Sequence, residues 1–354
     1  MRPGFLTLAM LLLAAGCSTH QKPSVVVVVR EVAPAVPAPV PPPRPGEEAA
    51  RAGDEIVVCG RLFHTGTPVV LWSDPGGYDA YRVWRKFSPA ETRPTHPEAG
   101  CDTANRYGNR GLEKLGPDER QKVQAEGFDV ATLAQVVDKF VIHYDVCGTS
   151  RQCFRILHDV RGLSVHFMLD VDGTIYQTLD LKERARHSGP ANDSSVGVEI
   201  AQIGAYDPSD PKEAAVLRTW YGKDESGRTR IRLPVHLGDP HLRVRDFVPR
   251  PAREEPVAGE IHGRSLLQYD FTEEQYRALI QLTTALCTVL PKIRPEAPRG
   301  PDGLVRTGVL KEDEIAAFGG LVGHYHLTTS KIDPGPAFDW ERVLGGVRAI
   351  LPTP

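Results

Sequence analysis

Two imidazoles, an ammonium and a carboxylate crowd into one turn-rich segment, Gly323-His324-Tyr325-His326-Leu327-Thr328-Thr329-Ser330-Lys331-Ile332-Asp333-Pro334-Gly335-Pro336. Folding alone has no need of so much chemistry in so short a stretch. Pro334 and Pro336 around Gly335 stiffen the backbone directly after Asp333, which suits a carboxylate that must hold a fixed position. A hydrolytic zinc takes three protein ligands and keeps one position open, so His324 and Asp333 supply two candidates and a third must come from elsewhere. The candidate is His143. It follows Phe140-Val141-Ile142, an apolar run with the character of a strand buried on both faces, and sits near its carboxyl end, where ligands of α/β proteins collect. Two histidines and one carboxylate also suit iron.

The elements that must position these groups alternate along the chain. Val130 to Asp138 predicts a helix, 140 to 144 a strand, and Ser150 to Val160 a helix opened by Thr149 and Gln152 as a capping box and ended by Gly162. Val165 to Leu169 and Thr174 to Leu179 flank Asp170-Val171-Asp172-Gly173, whose Asp-Gly pair predicts a hairpin turn; a calcium loop would need further carboxylates that are missing. Val196 to Ile200 predicts a second buried strand. Thr272 to Leu290 predicts a helix with Thr272 and Gln275 as its capping box, and Glu312 to Gly319 a shorter one before the histidine-rich turn. The pattern implies an α/β fold, a mixed central β-sheet flanked by helices on both faces. Glu199 stands out on its apolar strand, because a buried carboxylate is costly unless it is paired or serves as a proton acceptor beside an activated water.

Four segments, FVIHYD (140–145), LSVHFMLDVDGTIYQ (163–177), ARHSGPANDSSVGVEI (185–200) and GHYHLTTSKIDPGPAFDW (323–340), resemble the zinc-dependent N-acetylmuramoyl-L-alanine amidases of type 2, relatives of the peptidoglycan recognition proteins. The resemblance implies one Zn2+ held by His143, His324 and Asp333. It implies Glu199 as general base and Lys331 as the group that stabilises the oxyanion. It places His166, His187 and Asn192 in the substrate groove. His326, alternate to His324, would face the same way on an extended segment and could compete for metal; relatives more often carry Asp or another residue there, which leaves its role open. Arg186 stands where many relatives carry tryptophan. The implied reaction is hydrolysis of the amide between the lactyl group of N-acetylmuramic acid and L-alanine of the stem peptide, with peptidoglycan or muropeptides as partners. Two other functions fit parts of the pattern, a peptidoglycan-binding lipoprotein that does not cut and a zinc peptidase acting within the stem peptide. All five metal and catalytic positions are filled, which disfavours the binding protein; only the resemblance separates the amidase from the peptidase.

The chain begins with Met1-Arg2 and an apolar run from Phe5 to Ala15, too short to span a bilayer, which reads as a signal peptide over residues 1–16. Its ending, Leu13-Ala14-Ala15-Gly16-Cys17, resembles a bacterial lipobox, although Ala14 replaces the commoner leucine. That resemblance implies lipidation of Cys17 and an anchor in a membrane of the cell envelope, the outer membrane facing the periplasm. Residues 17–54 then form a proline-rich tether whose density of proline favours an extended, semi-rigid spacer. Residues 55–127 carry short apolar runs between glycines and prolines and lie outside the resemblance, as an N-terminal extension packed on the core or a small separate module. Residues 128–354 form the catalytic domain, with a long polar insertion at about 205–262 whose His236, His241 and His262 are poor ligand candidates. A net charge of −3 and the lack of any basic run give no case for nucleic acid.

Six cysteines occur and no CxxC pair, which excludes a thiolate zinc finger. With Cys17 lipidated, Cys147 and Cys153 are the expected disulfide around the loop after His143, Cys59 with Cys101 a weaker pair, and Cys287 a buried free thiol. The anchor is testable. Cys17→Ala is expected to move the protein from the membrane to the soluble fraction while leaving the folded domain active, and membrane fractionation that does not change overturns it.

Overall fold

The computed structural model describes residues 43–82, 106–234 and 238–351. The expected signal peptide, Cys17, most of the tether, Cys101 and His236 lie outside the described residues. The described residues form one compact unit. Among the described residues, no helix is long and apolar enough to cross a membrane.

The first strands, β1 (Glu55–Val58) and β2 (Arg61–His64), form an antiparallel hairpin turned by Cys59 and Gly60, both at positive φ. The Asp180 carboxylate accepts both turn N–H groups at 2.8 and 2.7 Å, which fastens the hairpin to the core. The chain continues through β3 (Val69–Leu71), β4 (Tyr107–Asn109), α1 (Pro117–Glu126) and α2 (Val130–Val136), the last capped by Asp129. Next come β5 (Lys139–Tyr144) and α3 (Ser150–Phe154), whose N-terminus Thr149 caps by accepting the Gln152 N–H. The helix expected over Ser150 to Val160 changes winding midway, since Arg155–Val160 is a π-helical turn ended by Gly162 at φ 63°. β6 (Phe167–Leu169) and β7 (Ile175–Gln177) make the expected hairpin around Gly173, and β8 (Glu183–Ala185) leads to β9 (Ser195–Ile200) through a 3-10 turn over Gly189–Ser194.

The polar insertion is ordered into α4 (Pro211–Trp220), β10 (Tyr221–Lys223), β11 (Thr229–Ile231) and β12 (Val257–Ile261), with β13 (Arg264–Gln268) pairing with β12. Ile203, Leu217, Trp220, Tyr221 and Ile231 give it a small core of its own, which the polar composition concealed. α5 (Glu273–Val289) has the predicted Thr272–Gln275 capping box, and α6 (Glu312–Ala317), β14 (Gly320–Gly323) and α7 (Trp340–Ile350) complete the chain.

One six-stranded sheet runs in the order β14-β5-β9-β6-β7-β3. Only β6 and β7 pair antiparallel; the other neighbours are parallel. Side chains alternate across its plane. Phe140, Ile142, Val196, Val198 and Leu321 pack against α5 and α7, through Leu279, Leu282, Leu286, Val343, Leu344 and Val347. The opposite face carries Val70, Met168 and Tyr176 against Cys153, Phe154 and Leu157 of the α3 segment, and Val141 and Val322 against Ala191 and Leu327. Strands covered on both sides must be apolar throughout, which is why β5 and β9 are readable as short hydrophobic runs.

The described residues of the 55–127 stretch pack on the core. β3 extends the sheet beside β7, and Gln177 bridges to the backbone N–H and carbonyl of Val57. Arg110, just after β4, is buried, and its guanidinium donates to the carbonyls of Leu181, Asn192, Asp193 and Ser195 at 2.8–3.2 Å. Burial, opposed by the charge of the nearby Asp193 carboxylate, pulls its pKa down to about 10. It pins the turn that leads into β9. Arg110→Leu leaves these carbonyls without their donor and is expected to lower stability by roughly 2–4 kcal/mol, read from the denaturant midpoint at unchanged m-value. A variant as stable as the unmodified chain excludes the clamp.

Candidate metal and catalytic site

The site forms where three neighbouring parallel strands end. In the register of β14, β5 and β9, Gly323 lies opposite Ile142, and His143 opposite Glu199. His324 follows β14 at once, so it arrives beside His143, and Glu199 stands on the other side of His143 on the same face of the sheet. Asp333 comes back to this point because Tyr325 N–H donates to the Asp333 carbonyl at 3.1 Å, folding the 324–333 loop on itself. Beyond it, Gly335 has φ 81°, and a Cβ there would meet the Gln268 side chain at 2.2 Å. That glutamine, from β13, donates to the Pro334 carbonyl at 3.0 Å and accepts from Ala337 N–H at 2.9 Å, so the turn behind Asp333 is held from both sides.

Three donor atoms converge. His143 Nδ1 lies 2.8 Å from Asp333 Oδ2 and 3.0 Å from His324 Nδ1, and His324 Nδ1 lies 3.1 Å from the same carboxylate oxygen. A neutral pair of imidazoles and one carboxylate oxygen cannot turn all three contacts into good hydrogen bonds, whereas a divalent cation at the centre satisfies all three. The edges are only a few tenths of an ångström shorter than the ~3.3–3.6 Å separating tetrahedral ligands at zinc distances, so the donor set fits zinc. Burial, followed by the charge of His324, lowers the His143 pKa to about 4. Burial works to raise the Asp333 pKa, but His324 and His143 outweigh it and hold the carboxyl below its ordinary range. Neutral imidazole with ionised carboxylate is the state that ligates a metal. A second acid–histidine group, Asp54, Glu55 and His64, does not compare, since Glu55 Oε2 already accepts from Ala52 N–H, Gly53 N–H and Arg51.

Glu199 Oε2 is enclosed without a hydrogen-bond partner. Burial, then the nearby Asp333 and Asp145 carboxylates, push its pKa well up, and the Lys331 ammonium opposes them. Lys331 is half-buried on the loop between His324 and Asp333 and its charge is felt by both His143 and Glu199. The insertion supports this loop: His262, just after β12, donates from Nε2 to the Lys331 carbonyl at 3.0 Å.

Several expectations change here. His326 does not share a face with His324, because the two lie in a 3-10 turn rather than an extended segment. Its Nδ1 accepts from Gly323 N–H at 2.9 Å and its Nε2 donates to the Arg306 carbonyl at 2.7 Å, which makes it a buried strut. His166 is fully buried and does not line a groove; Nδ1 accepts from Gly197 N–H and Nε2 donates to the Glu183 carbonyl. Asn192 is buried too, its Oδ1 accepting from the N–H groups of His187 and Ser188 and from the Ser188 hydroxyl. His187 sits against a candidate ligand, with Nδ1 3.0 Å from His143 Nε2. Cys147 and Cys153 are both free thiols in this structure, Cys153 buried and Cys147 half-buried. The loop after His143 is shaped instead by Asp145 Oδ1, which accepts from Cys147, Gly148 and Gln202 N–H at 2.8–3.0 Å. Cys59 is also free, and Cys287 is the buried free thiol expected of it.

One signal in the sequence went unread. Glycine in the middle of a β-branched strand marks a close approach, and Gly197 is such a residue: a Cβ there would lie 2.4 Å from His187 Cε1.

Residues 133–221 match the family model described as N-acetylmuramoyl-L-alanine amidase. No curated protein sequence matches the chain. Among solved structures the chain is similar to a selenomethionine derivative of AmpD, at 19% identity and TM-score 0.30, over 62% of this chain and 87% of that one. It is similar to the endolysin amidase LysCS from Clostridium intestinale URNW, at 15% identity and TM-score 0.31, over 61% of this chain and 86% of that one. A third is the amidase AmiD from E. coli in complex with anhydro-N-acetylmuramic acid-L-Ala-D-gamma-Glu-L-Lys, at 18% identity and TM-score 0.31, over 59% and 57%. The matched family segment contains His143, His187 and Glu199, and the fold brings His324, Lys331 and Asp333 to it from beyond the segment's end. Residues 133–221 thus carry the match to N-acetylmuramoyl-L-alanine amidases, and the chain is an amidase.

Proposed function

We propose that this amidase is zinc-dependent and hydrolyses the amide between the lactyl group of N-acetylmuramic acid and L-alanine of the peptidoglycan stem peptide, while held at a membrane of the cell envelope through Cys17. The observation that carries the reading is the convergence of His143 Nδ1, His324 Nδ1 and Asp333 Oδ2 within 3.1 Å of one another, beside the unpartnered oxygen of Glu199. A zinc held by these three atoms would supply Lewis-acid polarisation of the scissile carbonyl and a more acidic water.

The remaining work falls to the chain's own residues. Glu199 accepts a proton from the attacking water and returns it to the departing amine; burial and the neighbouring Asp333 and Asp145 carboxylates push its pKa up, which favours holding that proton between the two steps. The water oxygen adds to the lactyl carbonyl carbon, the carbon–nitrogen bond then breaks, and the products are a muramic acid carboxylate and a free alanine amine. Lys331 stabilises the negative charge that gathers on the carbonyl oxygen during the addition. Export to an oxidising compartment would allow the free thiols of Cys147 and Cys153 to close the disulfide the sequence suggests.

Products from purified sacculi decide the bond. Intact stem peptides and new muramic acid carboxylates, seen by mass spectrometry, are expected. Shortened peptides would identify a peptidase, and no release a binding protein.

Side-chain replacements separate metal binding from chemistry. His324→Ala is expected to lose zinc and activity together, whereas His326→Ala retains one zinc and loses stability by roughly 1–3 kcal/mol through its two orphaned backbone partners. Glu199→Ala is expected to keep its zinc and lose turnover by about 10²–10⁴-fold. Zinc-depleted but active Glu199→Ala protein would show that Glu199 has been given the wrong role.

A further inference from the structure

We propose that His187 is a positioning residue for His143, the head of a chain of hydrogen bonds whose direction is set from the metal site outward. The inference rests on the zinc reading above. For His143 to present a bare Nδ1 alongside His324 Nδ1 and Asp333 Oδ2, its one ring proton must sit on Nε2. That atom lies 3.0 Å from His187 Nδ1, and the two rings meet edge to face at 85° with centroids 5.2 Å apart. His187 Nδ1 must then be the acceptor, so its own proton sits on Nε2, which is 3.4 Å from Ser195 Oγ. Ser195 Oγ lies 3.3 Å from Ser188 Oγ, and the Ser188 hydroxyl donates to Asn192 Oδ1 at 3.1 Å. An amide oxygen can only accept. The chain therefore ends in a group that fixes its polarity, and each donor along it has one place to send its proton.

Two further features make the arrangement specific. Asn192 Oδ1 also takes the backbone N–H groups of His187 and Ser188, so the residue that terminates the chain also holds the backbone that carries its head. Gly197 on β9 leaves the space in which the His187 ring lies, since a Cβ would come within 2.5 Å of its Nδ1. Partners of this kind fix the ring orientation and protonation of a ligating histidine and raise its basicity, and their loss typically costs 10–100-fold in metal affinity.

The test compares the full chain with His187→Leu, which fills a similar volume without an acceptor, with His187→Gln, whose Oε1 can accept from His143, and with Gly197→Ala, which keeps every hydrogen-bonding atom but displaces the ring. Zinc affinity is measured by chelator competition, and thermal unfolding of the metal-free proteins reports on the fold. Expected are about 10–100-fold weaker zinc binding in His187→Leu and Gly197→Ala and recovery of most of the loss in His187→Gln, with metal-free unfolding midpoints alike in the two His187 variants and lowered in Gly197→Ala, whose Cβ must displace the ring. In the zinc-loaded protein, the His143 Nε2–H resonance is expected to be protected from exchange, and exposed in His187→Leu. Unchanged zinc affinity in His187→Leu with a raised KM would make His187 a substrate contact and overturn the proposal. So would His187→Gln binding zinc as weakly as His187→Leu, or a loss of affinity in the His187 variants that follows the unfolding midpoint. An unmodified chain that binds no zinc overturns the metal-dependent reading itself, and this inference with it.

Discussion

Everything at the site depends on three parallel strands ending at one level. Parallel pairing of β14, β5 and β9 sets His324, His143 and Glu199 side by side, although His143 and His324 lie 181 positions apart in the sequence and no local pattern connects them. A slip of one residue in either pairing would turn the side chain to the opposite face, into the hydrocarbon layer under α5 and α7. The apolar residues that alternate with the functional ones forbid that slip. The core thus acts as the template for the chemistry, and the hydrophobic face and the polar site are two readings of the same register.

Gathering charge at a buried point is unfavourable, and the structure offsets it with backbone donors and rigid supports. Asp145 orders the turn after His143, Gln268 braces the turn after Asp333, and His262 holds the Lys331 carbonyl. Two of them belong to the β12–β13 region, so the insertion contributes to the shape of the loop that carries Lys331 and Asp333 rather than standing apart as a surface excursion.

Much of this was legible in the residues. β5 and β9 are strands buried on both faces and read as such, α5 announces its start through Thr272 and Gln275, and the crowding of His324, Lys331 and Asp333 marks the functional loop. What was not legible depends on local winding or on distant partners. His324 and His326 look alike in sequence, and only the 3-10 turn gives one to the site and the other to the Arg306 carbonyl. His166 and Asn192 look like groove residues until burial shows that their polar atoms are already used by the backbone. The insertion looked irregular because its strands are short and its small core is made of residues spread between polar ones.

The placement of β3 has a consequence for how the domain can be divided. Its pairing with β7 closes that side of the sheet with residues that precede the family match by more than a helix and a strand. A fragment cut at the start of the recognisable domain would lay open the backbone N–H and carbonyl groups of Ile175, Tyr176 and Gln177, a short apolar rim with no charge to discourage a neighbour. Such a rim invites strands from other copies, so the shortened protein would tend to associate edge to edge even with its site residues in place.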